Sequence, residues 1–140
     1  MTIDFIYNTD FKLDNEPETS AWILDFCKSE SFTVDFLVFA FFSDEALKTL
    51  NINHLSHDCY TDVISFDEST NKTVKGNIAI STERVADNAK TFSVSFEEEL
   101  RRVMIHGVLH FMGYNDSSLE EKTIIRNKED HALNMFHVKQ

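Results

Sequence analysis

Residues 32–42 read FTVDFLVFAFF, and the predicted architecture is arranged around this run. The run begins with alternating apolar and polar residues and ends in an uninterrupted apolar segment, residues 36–42. That change is expected of a strand that passes from a half-covered position into the middle of a sheet. The apolar segment is far shorter than the roughly 20 residues of a membrane-spanning helix. We therefore predict a central strand and no membrane segment.

Two amphipathic elements precede this strand. Residues 2–7 alternate apolar and mostly polar side chains, which predicts a short, half-buried strand. After a polar connection that contains Pro17, residues 19–28 carry an apolar stripe with helical spacing. The stripe consists of Trp22, Ile23, Phe26 and Cys27. The sequence therefore predicts a helix that packs on the sheet through this stripe.

A helix and two further strands follow the central strand. Ser43 is a suitable N-cap for a helix that continues to about residue 54, and a loop follows it. Residues 61–66 and 76–81 are rich in β-forming side chains. The polar stretch between them, residues 67–75, is typical of a connection between antiparallel neighbours. Together with the two strands before them, they bring the expected sheet to about four strands.

The last part of the chain is helical. One helical pattern starts at Thr82, and Ser95 is the N-cap of a longer helix. That helix covers residues 96–112 and ends at Gly113, and a last amphipathic helix covers residues 119–136. The resulting order, β-α-β-α-β-β-α-α-α, predicts an α+β fold in which a mixed sheet is layered with helices. No repeat or composition change divides residues 1–140, so we expect a single domain.

Composition and charge exclude several classes of protein. The chain has 140 residues, of which 42% are hydrophobic, with three glycines and one proline, so it can bury a sizeable core and is not a disordered chain. Its net charge of −11 argues against a general nucleic-acid coat protein, because Lys and Arg dominate non-specific phosphate binding. A local basic groove on an otherwise acidic protein stays possible.

The compartment is predicted from the cysteines and the N-terminus. The two cysteines, Cys27 and Cys59, do not form a C-x-x-C pair and are too few for a disulfide framework. The first residues lack the basic and apolar regions of a signal peptide. We therefore expect a cytoplasmic protein.

The chemistry is concentrated in the segment IHGVLHFMGYND, residues 105–116. His106 and His110 are four residues apart on the predicted helix, so both imidazoles project from one face and can chelate one metal ion. Gly113 can end the helix and turn the chain so that Asp116 points back at them. The spacing is that of the metzincin signature, but the glutamate that serves those proteases as general base is absent. The missing proton shuttle argues against a conventional metalloprotease.

Residues 106–116 resemble the motif of the YbeY endoribonucleases, also described as rRNA maturation factors, H-G-x-L-H-L-x-G-Y-D-H. The matching positions are His106, Gly107, Leu109, His110, Gly113 and Tyr114, and the departures are Phe111, Asn115 and Asp116. A second family signature, T-D-V-L-S-F, is similar to residues 61–66, and a third, G-D-I, is similar to residues 76–78. The resemblance in length, element order and motif order covers nearly the whole chain.

The resemblance implies a single YbeY-like, metal-dependent hydrolase domain over residues 1–140. Such a protein is a cytoplasmic, single-strand-specific endoribonuclease of rRNA maturation and ribosome quality control, with a metal-activated nucleophile. Its partners are single-stranded RNA, rRNA and the ribosome or ribosomal proteins. The implied metal is one Zn²⁺ per chain, held by His106 and His110, with Asp116 at the family's third histidine position. Two imidazoles and one carboxylate also describe the facial triad of non-haem iron(II), so another divalent metal stays open.

Two departures from the family concern catalysis. The family's arginine before the T-D-V-L-S-F signature is Leu55 here, and the acid of the G-D-I signature is Asn77. Another cation must then meet the phosphate charge, and the candidates are Lys72, Lys75, Arg101 and Arg102. The catalytic residues would be His106, His110 and, as a guess at the proton acceptor, Asp62. Asp62 could equally cap a strand and close a loop.

Two alternatives to a nuclease remain open at this point. One is a non-catalytic ribosome assembly factor in which the metal is structural, and the other is a metallohydrolase of a small ester or amide. The phenylalanine-rich run of residues 32–42 is interpreted as core and not as a base-stacking platform, because it contains no basic residue. Residues 97–99, three glutamates, are interpreted as a solvated cluster at a helix N-terminus.

Overall fold

A computed structural model describes residues 2–55 and 60–139. Cys59 and most of the loop expected after residue 54 lie outside these ranges. The helices and strands are β1 (Thr2–Tyr7), α1 (Glu16–Ser29), β2 (Thr33–Phe42), α2 (Asp44–Leu55), β3 (Val63–Asp67), β4 (Thr73–Ser81), α3 (Thr82–Phe92), α4 (Phe96–Phe111) and α5 (Leu119–Lys139). The order of elements predicted from the sequence is confirmed. Within the described ranges, none of the helices is long and apolar enough to cross a membrane.

The four strands form a mixed sheet in the order β1-β2-β4-β3. β1 and β4 both pair with β2 in parallel, while β3 pairs with β4 antiparallel, as expected for strands joined by a short polar connection. β2 therefore has a partner on each side, which confirms the central position that its apolar sequence predicts. The α+β fold class is confirmed as well.

The main core lies on one face of this sheet. Alternate residues of β2, Leu37, Phe39 and Phe41, are fully buried there beneath α1, α4 and α5. A smaller cluster around Leu47 of α2 lies apart from it and includes Ala79 of β4. Both faces of β2 thus carry apolar side chains, but only one face is fully covered. Alternate residues of the run 36–42 are therefore only half-buried, although its all-apolar sequence predicts burial on both faces.

The boundaries of several elements differ from the sequence prediction, and the starts of α1 and β4 differ by three residues each. α1 begins at Glu16, three residues before the predicted start, with Pro17 in its first turn. Proline suits that position because the first N–H groups of a helix have no intrahelical acceptor to bond. β4 begins at Thr73 and so takes in the end of the stretch expected to be a loop. Each of these two elements therefore begins at a polar residue that precedes its apolar pattern in the sequence.

α4 is the helix that positions the site, and its packing depends on its glycine. Ser95 caps it as predicted, because its Oγ accepts a hydrogen bond from the backbone N–H of Glu98 at 3.1 Å. A Cβ at Gly107 would lie 2.9 Å from Cδ1 of Ile78 on β4. The absence of a side chain there therefore lets α4 lie directly on the sheet.

Candidate metal centre

Three ligand-type side chains meet at the C-terminal end of α4. The Nε2 atoms of His106 and His110 lie 2.9 Å apart, one helical turn from each other. Oδ2 of Asp116 lies 3.3 Å from Nε2 of His106 and 3.5 Å from Nε2 of His110. All three candidate ligand atoms lie within 4.8 Å of one another, which is close enough to hold one metal ion.

The turn after α4 brings Asp116 to the histidines. Gly113 has a φ of +97°, a conformation that glycine adopts readily and other residues rarely. The next N–H, that of Tyr114, then donates to the carbonyl of Leu109 and closes the helix at 3.0 Å. The tyrosine hydroxyl donates at 2.9 Å to Glu30, the C-cap residue of α1, which connects the loop to the rest of the protein. The local conformation expected from the glycine is therefore present.

The hydrogen bonds of the two rings determine which nitrogen atoms face the centre. Nδ1 of His106 lies 2.6 Å from a carboxylate oxygen of Glu129, and Nδ1 of His110 lies 2.9 Å from the carbonyl of Tyr114. Because both of these oxygen atoms accept, each Nδ1 carries a proton, and the lone pair of a ring in its neutral form is then on Nε2, which faces the centre. The carboxylate of Asp116 is a third acceptor at the same point. A cation can bind all three of these acceptor atoms.

The donor set fits zinc. A tetrahedral zinc ion lies about 2.0–2.1 Å from imidazole nitrogen and carboxylate oxygen, which separates its ligand atoms by about 3.3 Å. The separations between Asp116 and the two rings match this value, and the two Nε2 atoms are slightly closer. Three protein ligands leave a fourth position open, as in catalytic zinc sites.

Glu129 of α5 contacts the His106 ring on the side away from the centre. The motif in residues 105–116 does not include this residue. Its side chain is buried, and its other oxygen atom accepts from Nη1 of Arg102 at 2.9 Å. Nη2 of the same arginine donates to Asp130 at 2.8 Å. Burial opposes protonation of His106, but the hydrogen bond and the charge of Glu129 leave its pKa above the ordinary value. The contact joins residues 23 positions apart, and no spacing rule predicts it.

A cleft of about 320 Å³ opens beside the centre and contains Asp62. The carboxylate of Asp62 accepts a hydrogen bond from the side-chain amide of Asn88 at 3.3 Å. Burial raises the pKa of Asp62 above its ordinary value, although the nearby His106 works in the opposite direction. The structure thus places Asp62, the proton acceptor suggested from the sequence, in the same cleft as His106 and Asp116.

Glu99 is a second carboxylate in this cleft, and its interpretation as part of a solvated cluster is wrong. Its side chain is only 5% exposed, whereas Glu97 is exposed. Burial raises the pKa of Glu99, and the charge of Asp62 raises it further. Glu99 precedes His106 by seven residues, or two helical turns, so helical periodicity could have placed both residues on one face.

Of the four cations proposed from the sequence, only Arg102 lines the cleft. It is already paired with Glu129 and Asp130. The other three lie elsewhere, each over a phenylalanine ring: Lys72 over Phe32, Lys75 over Phe36 and Arg101 over Phe136. Leu55, at the position of the family's arginine, is the last residue of α2. None of these groups is therefore a free cation beside the centre.

A His-His-Asp group beside a cleft is a donor set that metal-dependent hydrolases use. The family model that matches residues 6–137 is that of Endoribonuclease YbeY. The chain belongs to this family, whose members are hydrolytic nucleases. The family expected from the motifs is thereby confirmed, and with it the expectation of an endoribonuclease.

Relatives with this family name match nearly the whole chain. Endoribonuclease YbeY of Flavobacterium johnsoniae is 46% identical over 138 residues, which is 99% of both chains. The protein of the same name from Christiangramia forsetii is 44% identical over 99% of this chain and 96% of its own. A solution structure from Thermotoga maritima has a TM-score of 0.72 and 23% identity, covers 99% of this chain and 91% of its own, and shows the shared fold. The non-catalytic alternative gains no support from these names.

Proposed function

We propose that this chain is a metal-dependent, single-strand-specific endoribonuclease that acts in rRNA maturation and ribosome quality control. Residues 1–140 form one hydrolase domain that works in the cytoplasm and associates with the ribosome. Family membership supports the reaction and the RNA substrate. The observation that carries the metal dependence is the convergence of three acceptor atoms from His106, His110 and Asp116.

The proposed cofactor is one zinc ion per chain, with His106, His110 and Asp116 as its ligands. The two protonated Nδ1 atoms and the ligand separations support zinc, although the carboxylate also suits iron(II). When bound, the metal lowers the pKa of a coordinated water molecule and polarises a phosphoryl oxygen atom. The protein itself fixes the orientation of the rings, His106 through Glu129 and His110 through the carbonyl of Tyr114.

Asp62 is the proposed proton acceptor. A general base works best when its pKa lies near the working pH, and the raised pKa of the Asp62 carboxyl moves it in that direction. Asn88 donates to one carboxylate oxygen of Asp62, and backbone N–H groups of Asp62 and Val63 also bind this carboxylate and lower its pKa in part. The nucleophile that gives up the proton is a water molecule or the neighbouring ribose 2′-hydroxyl.

Cleavage of a labelled single-stranded RNA, with its duplex form as the comparison, tests this proposal. The zinc-loaded protein should cut the single strand, whereas a chelator or the substitution His110→Ala should lower the rate at least 100-fold. His131→Ala, prepared in the same way, is the matched control because His131 lies on α5 outside the centre. Equal cleavage by the His110→Ala protein, or no cleavage by the zinc-loaded protein, would contradict the proposal.

A further inference from the structure

The cleft beside the metal centre has an exposed aromatic ring in its wall. Phe92, the last residue of α3, lines the cleft and is 58% exposed. An exposed phenylalanine contributes little to the core, and most of the other aromatic side chains of this protein are buried or half-buried. A flat apolar ring of this kind, in a cleft that also holds the candidate metal ligands, offers a face on which a nucleic acid base can stack.

Two cations lie in the same cleft on a different helix. Lys122 and Arg126 are one turn apart on α5, so their side chains project in the same direction. The side chain of Lys122 has no ion-pair or hydrogen-bond partner among residues 2–55 and 60–139. The side chain of Arg126 is 59% exposed, and it lies 3.9 Å from Glu129, which already binds Arg102 at 2.9 Å. The charge of Arg126 also acts on Glu99 in the same cleft. Both cations are therefore available to a ligand.

The arrangement of the helices puts the ring and the cations on either side of α4. α4 contacts both α3 and α5, and it contributes His106 and Glu99 to the cleft. Phe92 enters from α3, and Lys122 and Arg126 enter from α5. A strand that crosses the cleft can thus meet an aromatic face, the metal centre and two cations. Lys122 and Arg126 thereby place positive charge on the α5 side of a cleft that is also lined by the carboxylates of Asp62, Glu99, Asp116 and Glu129.

We propose that this cleft is a nucleotide-binding subsite in which Phe92 stacks on a base while Lys122 and Arg126 contact phosphates of single-stranded RNA. The proposal rests on the proposed function for the identity of the ligand. Bases in a duplex are already stacked on their neighbours, so only an unpaired base can lie on Phe92. The subsite therefore accounts for a preference for single strands.

The stacking half of the proposal is tested by binding of a fluorescently labelled six-nucleotide RNA. Binding is measured on the 140-residue chain with His110→Ala, so that the RNA stays intact, and cleavage is measured without that change. Phe92→Ala and Phe92→Leu should weaken binding about 5- to 100-fold, whereas Phe92→Trp should retain it. RNA with one abasic position should lose this sensitivity when that position is the stacked one. Thermal unfolding midpoints verify that each variant is folded.

The electrostatic half is tested by the salt dependence of the same binding reaction. Each phosphate contact contributes about 0.7 to the slope of log affinity against log salt for a single strand. The double variant Lys122→Gln, Arg126→Gln should therefore reduce the slope by about 1.4. Lys90→Gln, an exposed lysine of α3 that does not line the cleft, should leave the slope unchanged.

The outcomes separate this subsite from the proposed function. RNA cleavage that persists while the Phe92 and Lys122/Arg126 variants bind like the parent protein overturns the subsite and leaves the nuclease intact. Binding that depends on Phe92 and on both cations, in a protein that does not cleave RNA, supports the subsite and overturns the nuclease. A loss of affinity for duplex and single strand alike in Phe92→Ala also overturns the stacking role.

Discussion

A carboxylate oxygen of Glu129 lies 2.6 Å from Nδ1 of His106, across the ring from the nitrogen that faces the centre. The two residues belong to different helices, α5 and α4. Arg102 holds the other oxygen of Glu129 at 2.9 Å. The orientation of the His106 ring is therefore fixed by hydrogen bonds between α4 and α5, through Glu129 and Arg102.

Replacement of Glu129 should weaken metal binding. In Glu129→Gln the amide no longer supplies a charged acceptor to Nδ1 of His106, so the ring is less well oriented and less basic toward the metal. Zinc affinity should fall about 10- to 100-fold, as is usual when the partner of a ligand histidine is removed. Competition against a chromophoric chelator measures this directly. Asp130→Asn is the matched control, because Asp130 binds Arg102 but not His106, and equal losses in both variants would contradict the prediction.

Replacement of Glu99 should stabilise the fold at neutral pH. A carboxyl group whose pKa is raised by folding favours the native state below its unfolded pKa, and that contribution is lost as pH rises through the raised folded value. Glu99→Gln should thus raise the free energy of unfolding by roughly 1 kcal/mol at pH 7.5. Near pH 4 the same substitution should raise the free energy of unfolding little. Urea unfolding of Glu99→Gln beside the exposed control Glu97→Gln measures the difference, and equal effects would contradict the prediction.

Cys27 should be unreactive in the native protein. The thiol is fully buried in α1, and burial, together with the charge of Glu30, raises its pKa from 9.0 to about 12. Neutral Cys27 therefore contributes stability below pH 9 that is lost as pH rises toward 12. In a Cys59→Ser background, a disulfide reagent at pH 8 should modify Cys27 only at the rate of unfolding. Rapid modification of the folded protein would contradict its burial.

Local signals in the sequence were sufficient for most of the fold. Ser95 marks the start of α4 because an N-cap hydroxyl is a property of neighbouring residues, and the alternation in residues 2–7 marks β1 for the same reason. The spacing of His106, His110 and Asp116 is equally local, since one helix and one turn bring the three side chains together. Each of these features depends on contacts within about ten residues.

Features that depend on contacts between distant elements could not be predicted in the same way. Glu129 reaches His106 from another helix, and Phe92 shares a cleft with Lys122 and Arg126 only because α3 and α5 both pack on α4. Glu99 was assigned to the surface because an acidic run at a helix N-terminus is usually solvated. Helix packing on the sheet instead turns this one glutamate inward.

The central claim is that one metal ion at His106, His110 and Asp116 is needed for RNA cleavage. Zinc titration of the metal-stripped protein, with binding and the initial rate of single-stranded RNA cleavage measured on the same samples, tests it most directly. The account predicts that the rate rises in proportion to bound zinc and levels off at one equivalent per chain, and that Asp116→Ala requires at least tenfold more zinc. A cleavage rate that does not change as zinc is bound would contradict it.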